Sequence, residues 1–251
     1  MTAKSKNPRA LEEQLNYLKL PYIRDNHETM ARKAASKQWD HVHYLSELIK
    51  AEADLKSDRA TKRRIATARF PQIKTLEQFK WSWPKKINQM AVKDLFRLSF
   101  IKDKGNVIFI GAVGLGKTHL AISLGYQACL KGHSVLFTTA VDAVNNLLAA
   151  QTAGNLKVVL KRYYKPSLLI IDELGYLPID KAGADMLFQM ISQRYEQGSV
   201  IITTNRAFKE WPAIFNNDST LTSALLDRLL HHAQTLVIEG KSFRMKDVID
   251  N

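Results

Sequence analysis

The sequence predicts an α/β protein in which helices cover both faces of a parallel sheet, preceded by a small all-α region. In the second half of the chain, short apolar runs rich in β-branched residues alternate with helical stretches, which is typical of buried parallel strands and their crossover helices. In the first hundred residues, apolar positions instead follow the three-to-four-residue spacing of amphipathic helices. The two parts of the chain therefore predict different architectures.

Five apolar runs are predicted strands, and helices are predicted between the first four of them. The strands are expected at residues 107–110, 135–138, 168–172, 200–204 and 236–239. The helices are expected at residues 118–131, 141–164 and 181–197. Strands separated in this way build βαβ units, so we expect one five-stranded parallel sheet flanked by helices.

The first part of the chain predicts three helices and a connector. A first helix ends at Pro21, because proline interrupts helical hydrogen bonding, and helices at 22–38 and 41–68 follow. Residues 71–86 contain two prolines and two tryptophans and predict an irregular connector, followed by a short helix at 87–100. We therefore expect a basic helical domain at 1–70, a connector at 71–104 and an α/β domain at 105–251.

Composition favours a globular protein without a membrane partner. Of the 251 residues, 45% are hydrophobic and 24% are charged, a balance that can bury a core. No apolar run is long enough to span a membrane, and the basic start lacks the apolar segment of a secretory signal. We therefore expect a cytoplasmic protein, with its single cysteine, Cys129, in the core.

Basic residues are concentrated in the first two fifths of the chain. Residues 1–104 contain 23 Lys and Arg against 12 Asp and Glu, whereas residues 105–251 contain 14 against 12. A one-sided excess favours a polyanionic partner, so we expect the N-terminal region to bind double-stranded DNA; the alternative is a solvated helix face. The candidate DNA contacts are Arg59, Lys62, Arg63 and Arg64.

A glycine-rich loop follows the first predicted strand and opens a helix. The segment GAVGLGKT at 111–118 fits the phosphate-binding pattern G-x-x-x-x-G-K-[ST] in the required strand–loop–helix context. Its backbone N–H groups can surround phosphate, its lysine can reach the β- and γ-phosphates, and its threonine can coordinate Mg²⁺. The predicted nucleotide-binding residues are Gly111, Ala112, Val113, Gly114, Leu115, Gly116, Lys117, Thr118 and His119.

Acidic and amide side chains follow two later predicted strands. Asp172 and Glu173 end the apolar run at 168–171, and Asn205 ends the run at 200–204. The carboxyl edge of a parallel sheet is where α/β proteins bind ligands. Asp172 is placed to hold Mg²⁺, Glu173 to polarise an attacking water, and Asn205 to contact that water or the γ-phosphate.

Two arginines and two histidines near the end of the chain are further candidates. Arg228, on an amphipathic helical segment, is either a surface residue or an arginine presented to a neighbour's phosphate. Arg244 is a second candidate for contacting phosphate. His231 and His232 lack a further ligand at metal-binding spacing, so no metal site is expected there.

Aromatic residues of the connector have two interpretations. Phe79, Trp81 and Trp83 are either base-stacking residues or anchors that pack the connector onto the α/β domain. Packing is favoured, because such aromatics often serve as buried anchors.

The order of motifs resembles the IstB and DnaC-like branch of the AAA+ ATPases. GxxGxGKTHLA at 111–121 is followed by LLIIDELG at 168–175, by a strand ending in TTN, and by DRLLHHA at 227–233. Further segments resemble IstB, the helper ATPase of an insertion-sequence transposition system. These are the ARFP and TLEQFKW stretch at 68–81 and GKSFRMK at 240–246.

The resemblance implies an AAA+ core, with ATP and Mg²⁺ as cofactors, in an oligomer that forms on DNA with ATP. A cognate transposase is the implied partner. Lys117 and Thr118 are implied as phosphate and Mg²⁺ residues, and Asp172 and Glu173 as the metal-binding and catalytic acids.

The resemblance also assigns three residues outside these motifs. Asn205 is implied as the first sensor of the γ-phosphate. Arg228 matches an arginine finger that acts on an adjacent subunit, and Arg244 falls near the second-sensor position.

Three functions remain open from the sequence. The first is a DNA-binding ATPase that regulates a transposase by selecting or remodelling target DNA. The second is a helicase loader, and the third is a DNA-binding adaptor with a structural nucleotide. Glu173 and Asn205 argue against the adaptor, and the basic N-terminal region favours the transposition helper.

Overall fold

A computed structural model describes residues 8–243 of the chain. Two compact units are present, and the chain passes from one to the other between Arg63 and Arg64. Within the described residues, no helix combines the length and the apolar character needed to cross a membrane.

The first unit is helical, as predicted. Its helices are α1 (Pro8–Tyr17), α2 (Pro21–Ser36) and α3 (His41–Ala68), the last of which continues beyond the unit. Leu15, Ile23 and Leu48 form its small core. The buried carboxylate of Glu52 on α3 accepts a hydrogen bond from the backbone N–H of Ile23 at 3.1 Å. This bond satisfies a donor in the first turn of α2, which has no partner within its own helix.

The second unit contains a five-stranded sheet in which each pair of neighbouring strands is parallel. The strands are β1 (Asn106–Gly111), β2 (Val135–Thr139), β3 (Leu168–Leu174), β4 (Ser199–Thr204) and β5 (Ala233–Ile238). Their order across the sheet is β2-β3-β4-β1-β5. The predicted fold class is confirmed. The edge strand β5 begins at Ala233, earlier than predicted. Gln234 and Thr235 are polar and exposed, so the sequence does not show the strand pattern there.

Eight α-helices begin in the described part of the second unit: α4 (Gln89–Leu95), α5 (Ser99–Lys102), α6 (Lys117–Leu130), α7 (Ala140–Thr152), α8 (Leu156–Tyr164), α9 (Lys181–Arg194), α10 (Trp211–Ile214) and α11 (Ser219–Leu230). The extents of two predicted helices are wrong. The helix predicted at 141–164 is divided at Gly154, whose φ of +69° lies in the left-handed region. The helix predicted at 87–100 is divided in the same way at Leu98, with a φ of +61°. A residue in this conformation ends an α-helix.

Hydrophobic clusters cover both faces of the sheet. Along β3, Leu169 and Ile171 face the cluster formed with α7 and α9, whereas Leu168 and Ile170 face the cluster formed with α6 and the connector. Successive side chains of a strand point to opposite faces, so burial on both sides explains the continuous apolar runs. Cys129 is fully buried, as expected, and burial raises the pKa of its thiol to about 11.

A buried arginine holds the amino-terminal edge of the sheet together. The Arg194 guanidinium donates to the carbonyls of Tyr163 at 2.7 Å, Pro166 at 3.0 Å and Ser199 at 2.7 Å. Burial lowers the pKa of Arg194 to about 10, which still leaves it charged at neutral pH. These bonds fix the start of β3 and β4 relative to the end of α9.

Candidate functional site

The phosphate-binding pattern occupies the loop between β1 and α6, as predicted. Gly116 has a φ of +87°, and the Phe79 ring lies 2.6 Å from the point where a β-carbon would sit. Glycine is therefore required there both by backbone conformation and by space. Lys117 Nζ donates to the carbonyls of Gly111 at 2.7 Å and Ala112 at 2.8 Å, so this cation lies across the loop.

Two threonine hydroxyls converge on the carboxylate that ends β3. Thr118 Oγ1 lies 2.9 Å from Asp172 Oδ1, and Thr203 Oγ1 on β4 donates to the same oxygen. Asp172 is buried. Both bonds use Oδ1, and the described residues provide no hydrogen-bond donor to Oδ2. A hydroxyl and a carboxylate at this separation fit a hard cation such as Mg²⁺, which prefers oxygen ligands.

A β-bulge exposes Glu173. The pairing of β3 with β4 shifts between Ile171 and Leu174, and Glu173 has a φ of +60°, which is rare for a residue with a side chain. Its backbone N–H donates to Thr203 Oγ1 at 3.0 Å. Bulges redirect side chains next to active sites, and here an exposed acid follows a buried one.

Asn205 lies at the same edge of the sheet as the loop. It follows β4, which stands between β1 and β3, and its side chain is exposed. The fold therefore brings Lys117, Thr118, Asp172, Glu173 and Asn205 to one edge, as the sequence predicted.

A cavity of about 670 Å³ lies beside this loop, within the size range of ligand pockets. Residues 114–119 line one side, and the connector lines the other with Lys74, Phe79, Lys80 and Trp83. The two lysines add positive charge to a site that the glycine-rich loop already suits to phosphate.

The connector is anchored onto the loop by its aromatic residues. The Phe79 ring is buried and makes edge contacts with Trp81 at 4.9 Å and His119 at 5.5 Å between ring centroids. Trp83 Nε1 donates to the carbonyl of Lys241 at 2.9 Å. The packing interpretation of these aromatics is confirmed, although Phe79 and Trp83 also line the cavity.

His119 lines the cavity and fixes the connector. Its Nε2 donates to the carbonyl of Thr75 at 2.8 Å, since a carbonyl can only accept. Burial lowers the pKa of His119; the hydrogen bond to Thr75 opposes this effect, and the nearby charge of Lys74 adds to it, so the pKa is lowered on balance. A neutral His119 therefore holds the connector beside the first turn of α6.

One predicted residue, Arg228, is not part of this group. Arg228 lies near the end of α11, just before β5, and β5 begins beside Asn106 at the start of β1. It is therefore near the amino-terminal edge of the sheet, opposite the loop. Its Nη1 donates to the carbonyl of Ala224 at 2.8 Å, and its guanidinium lies 4.9 Å from the centre of the Phe188 ring. Arg244 lies outside the described residues.

Sequence reasoning missed Thr203 and the cavity-lining lysines of the connector. Thr203 is one of two threonines at the end of β4, just before Asn205. A polar strand end in the sequence does not reveal the hydrogen bonds of Thr203 to Asp172 and Glu173. Lys74 and Lys80 belong to the basic excess counted over residues 1–104, and a charge count does not show which lysines line a cavity.

Comparison with known proteins identifies the family. The family model of the IstB-like ATP-binding proteins matches residues 13–250. The chain belongs to this family. An ATP-binding protein of insertion sequence IS5376 from Geobacillus stearothermophilus is 38% identical over 237 residues, 94% of each chain. The corresponding protein of insertion sequence IS21 from Pseudomonas aeruginosa is 37% identical over 94% of this IstB-like chain and 89% of its own.

This IstB-like chain shares the AAA+ P-loop fold of solved replication proteins. The DnaC helicase loader matches with a TM-score of 0.54 and 21% identity, over 66% of this chain and 96% of its own. AMPPCP-bound DnaA from Aquifex aeolicus matches with a TM-score of 0.56 and 21% identity, over 72% of this chain and 54% of its own. At these identities the likeness concerns the fold.

Proposed function

We propose that this IstB-like chain is an ATP hydrolase that assembles on double-stranded DNA with ATP and regulates a partner transposase, by selecting or remodelling target DNA. One observation carries the hydrolase assignment: the bulge that exposes Glu173 directly after the buried Asp172. A protein that only holds nucleotide needs the loop and Asp172, but it has no use for a second, strained acid at the same edge. Strained backbone of this kind is concentrated at functional sites.

Each residue at this edge has a separate role in hydrolysis. The loop and Lys117 bind the phosphates of ATP, and Asn205 orients the attacking water. Glu173 accepts a proton from that water as its oxygen bonds to the γ-phosphorus. The bond from this phosphorus to the bridging oxygen breaks, which releases ADP and phosphate.

Thr118 and Asp172 would hold Mg²⁺. Their oxygens lie 2.9 Å apart at the end of the loop, and Thr203 fixes the orientation of the carboxylate. When bound, the cation neutralises charge that develops on the phosphate oxygens. Thr203 positions both acids, because its hydroxyl also accepts from the Glu173 N–H.

The DNA-binding proposal rests on the basic face of α3 in the first unit. Arg59, Lys62 and Arg63 are exposed, and Arg59 lines a groove of about 270 Å³ with Lys19 and Lys56. Cations arranged along a helix can contact successive phosphates without reading sequence.

Arg64 differs from the other predicted DNA contacts. It is half-buried in the second unit, and its Nε donates to the carbonyl of Cys129 at 3.0 Å. Replacing it would disturb packing next to α6 as well as charge, so it is left intact in the following experiment.

Changing Arg59, Lys62 and Arg63 together to glutamine is expected to weaken binding to unrelated DNA duplexes equally. It should also reduce the log–log slope of affinity against salt concentration by about 0.9 for each lost phosphate contact. Fluorescence anisotropy across a salt series measures both effects. The matched control replaces Lys157, Lys161 and Arg162, three exposed cations of α8, and removes the same charge. If both triple variants behave alike, the α3 face is only a solvated surface.

The transposase assignment rests on relatives that are described as insertion-sequence proteins and that match nearly the whole chain. The helicase-loader alternative rests on a fold likeness to DnaC. With ATP and DNA, we expect this chain to retain its cognate transposase in a pull-down, and Lys117→Ala to abolish that retention. Retention of a replicative helicase, with no retention of the transposase, would instead support the loader.

A further inference from the structure

Three metal-binding side chains meet at the amino-terminal edge of the sheet, away from the nucleotide site. Glu196 lies in the turn between α9 and β4, and His231 and His232 follow α11. Glu196 Oε1 is 3.9 Å from His231 Nδ1 and 3.9 Å from His232 Nε2, and the three atoms lie within 4.8 Å of one another. Spacing along the chain does not reveal this third ligand, because Glu196 is distant from the histidines in sequence.

We propose that Glu196, His231 and His232 form a binding site for a divalent transition-metal ion of the Zn²⁺ class. Two imidazoles and one carboxylate are the donors that such ions prefer, whereas Mg²⁺ and Ca²⁺ prefer oxygen ligands alone. Tetrahedral Zn²⁺ with bonds of about 2.0–2.1 Å separates its ligand atoms by about 3.3 Å. The observed separations need only a small inward rotation of three exposed side chains.

The backbone holds the three ligands in position. The carbonyl of His232 accepts from the N–H of Asn106 at 2.8 Å, which fixes the histidines to the start of β1. The N–H groups of Gln197 and Gly198 donate to the carbonyl of Arg194 at 2.9 and 3.0 Å, which fixes the turn that carries Glu196. Glu196 itself has a φ of +57°. The ion would bridge two rigid segments, with only side-chain rotations needed to bind it.

Neighbouring groups affect the site in opposite ways. Tyr195 Oη lies 2.7 Å from His231 Nδ1. A metal ion bound to His231 Nδ1 would replace this contact with the tyrosine hydroxyl. Lys104 and Arg228 line the adjacent recess and oppose cation binding. These positive charges weaken the binding of a cation that is held by charge alone. They disfavour a transition-metal ion less, because it also forms bonds to the imidazole nitrogens.

Three protein ligands leave a fourth position for water or for a group from another molecule. The ion would also tie the end of α11, which carries Arg228, to the turn before β4. Occupancy of this site is independent of ATP hydrolysis, so its test does not rely on the proposed function.

The test is a Zn²⁺ titration of the untagged chain by calorimetry, in excess Mg²⁺ so that the nucleotide site does not compete. We expect one Zn²⁺ per chain at micromolar concentration and a higher melting temperature when it is bound. Glu196→Gln and the double variant His231→Ala, His232→Ala should each bind at least about tenfold more weakly, because losing a group that only supports a ligand already costs about that much. At the Zn²⁺ concentration that saturates the natural chain, their melting temperatures should rise less than that of the natural chain.

The matched control is His41→Ala with His43→Ala, which removes two exposed histidines from α3. Its affinity and melting response should equal those of the natural chain. The proposal is overturned if the natural chain binds no Zn²⁺ at micromolar concentration, or if Glu196→Gln and the histidine variant bind as the control does. Glu196→Gln keeps the shape of an exposed side chain, so the test survives a histidine variant that fails to fold.

Discussion

Glu173→Gln is expected to bind ATP normally and to hydrolyse it at least about 100-fold more slowly, the low end for loss of a general base. The amide keeps the size of the side chain and cannot accept the proton of the attacking water. The backbone bond to Thr203 and the pairing of Thr118 with Asp172 do not involve the Glu173 carboxylate, so nucleotide binding should be retained. Binding of a fluorescent ATP analogue and phosphate release measure the two steps separately.

Lys117→Ala provides the contrast, because it should lose binding and hydrolysis together. The lysine crosses the loop through the carbonyls of Gly111 and Ala112, so its removal affects both the loop and the charge on the phosphates. Asp185→Asn, an acid-to-amide change at an exposed position of α9, is the neutral control. Normal hydrolysis by Glu173→Gln would contradict the assignment of Glu173 as the base.

The sequence predicts those parts of this site that depend on a contiguous motif or on the end of a single strand. The loop is a contiguous motif, and glycine at position 116 is required by its own φ of +87°. Asp172 and Asn205 lie at the predicted edge of the sheet because the ends of parallel strands share one edge, a consequence of strand direction alone. The order of the strands is not needed for that inference.

The parts that the sequence did not predict depend on pairing between distant segments. The bulge at Glu173 exists only because β3 and β4 change register between Ile171 and Leu174, and the role of Thr203 depends on that same pairing. Glu196 joins His231 and His232 only after α11 returns the chain to the start of β5. Spacing along the chain carries no information about such contacts.

Two further differences arise from competition between local signals. The apolar pattern of residues 141–164 continues on both sides of Gly154, so the pattern predicts one helix. The left-handed conformation of Gly154 nevertheless separates α7 from α8. Arg64 shares its basic run with Arg63, yet it lies half-buried against the carbonyl of Cys129. Neighbouring residues of a helix point about 100° apart, so Arg63 is exposed while the adjacent Arg64 is half-buried.

The position of Arg228 makes a role at its own nucleotide site geometrically unfavourable. The six residues of β1 separate the two edges of the sheet by about 17 Å at 3.3 Å per residue. Arg228 lies near one edge, and Lys117 lies at the other. If Arg228 contacts phosphate, the phosphate belongs to another subunit.

Arg228→Ala is therefore expected to bind ATP but to lose on the order of 10³ in hydrolysis rate, the lower end for an arginine finger. The residues of one site leave the charge on the transferred phosphoryl group only partly neutralised, and Arg228 of a neighbouring subunit would complete the neutralisation on this prediction. Hydrolysis by the natural chain should then rise steeply with protein concentration and with DNA that promotes assembly. Phosphate release across a concentration series measures this dependence.

Mixing two inactive variants distinguishes a role across the interface from a structural one. Arg228→Ala retains an intact nucleotide site, and Lys117→Ala retains an intact arginine, so a mixed interface pairs the two working halves. Activity should return in part when the variants are mixed, and it should not return when Arg228→Ala is mixed with the double variant Lys117→Ala, Arg228→Ala. Restored activity would not reflect better folding of either variant, because each chain has the same sequence alone and in the mixture. If mixing restores nothing while both variants assemble together on DNA, Arg228 acts only through its contacts with Ala224 and Phe188 on its own chain.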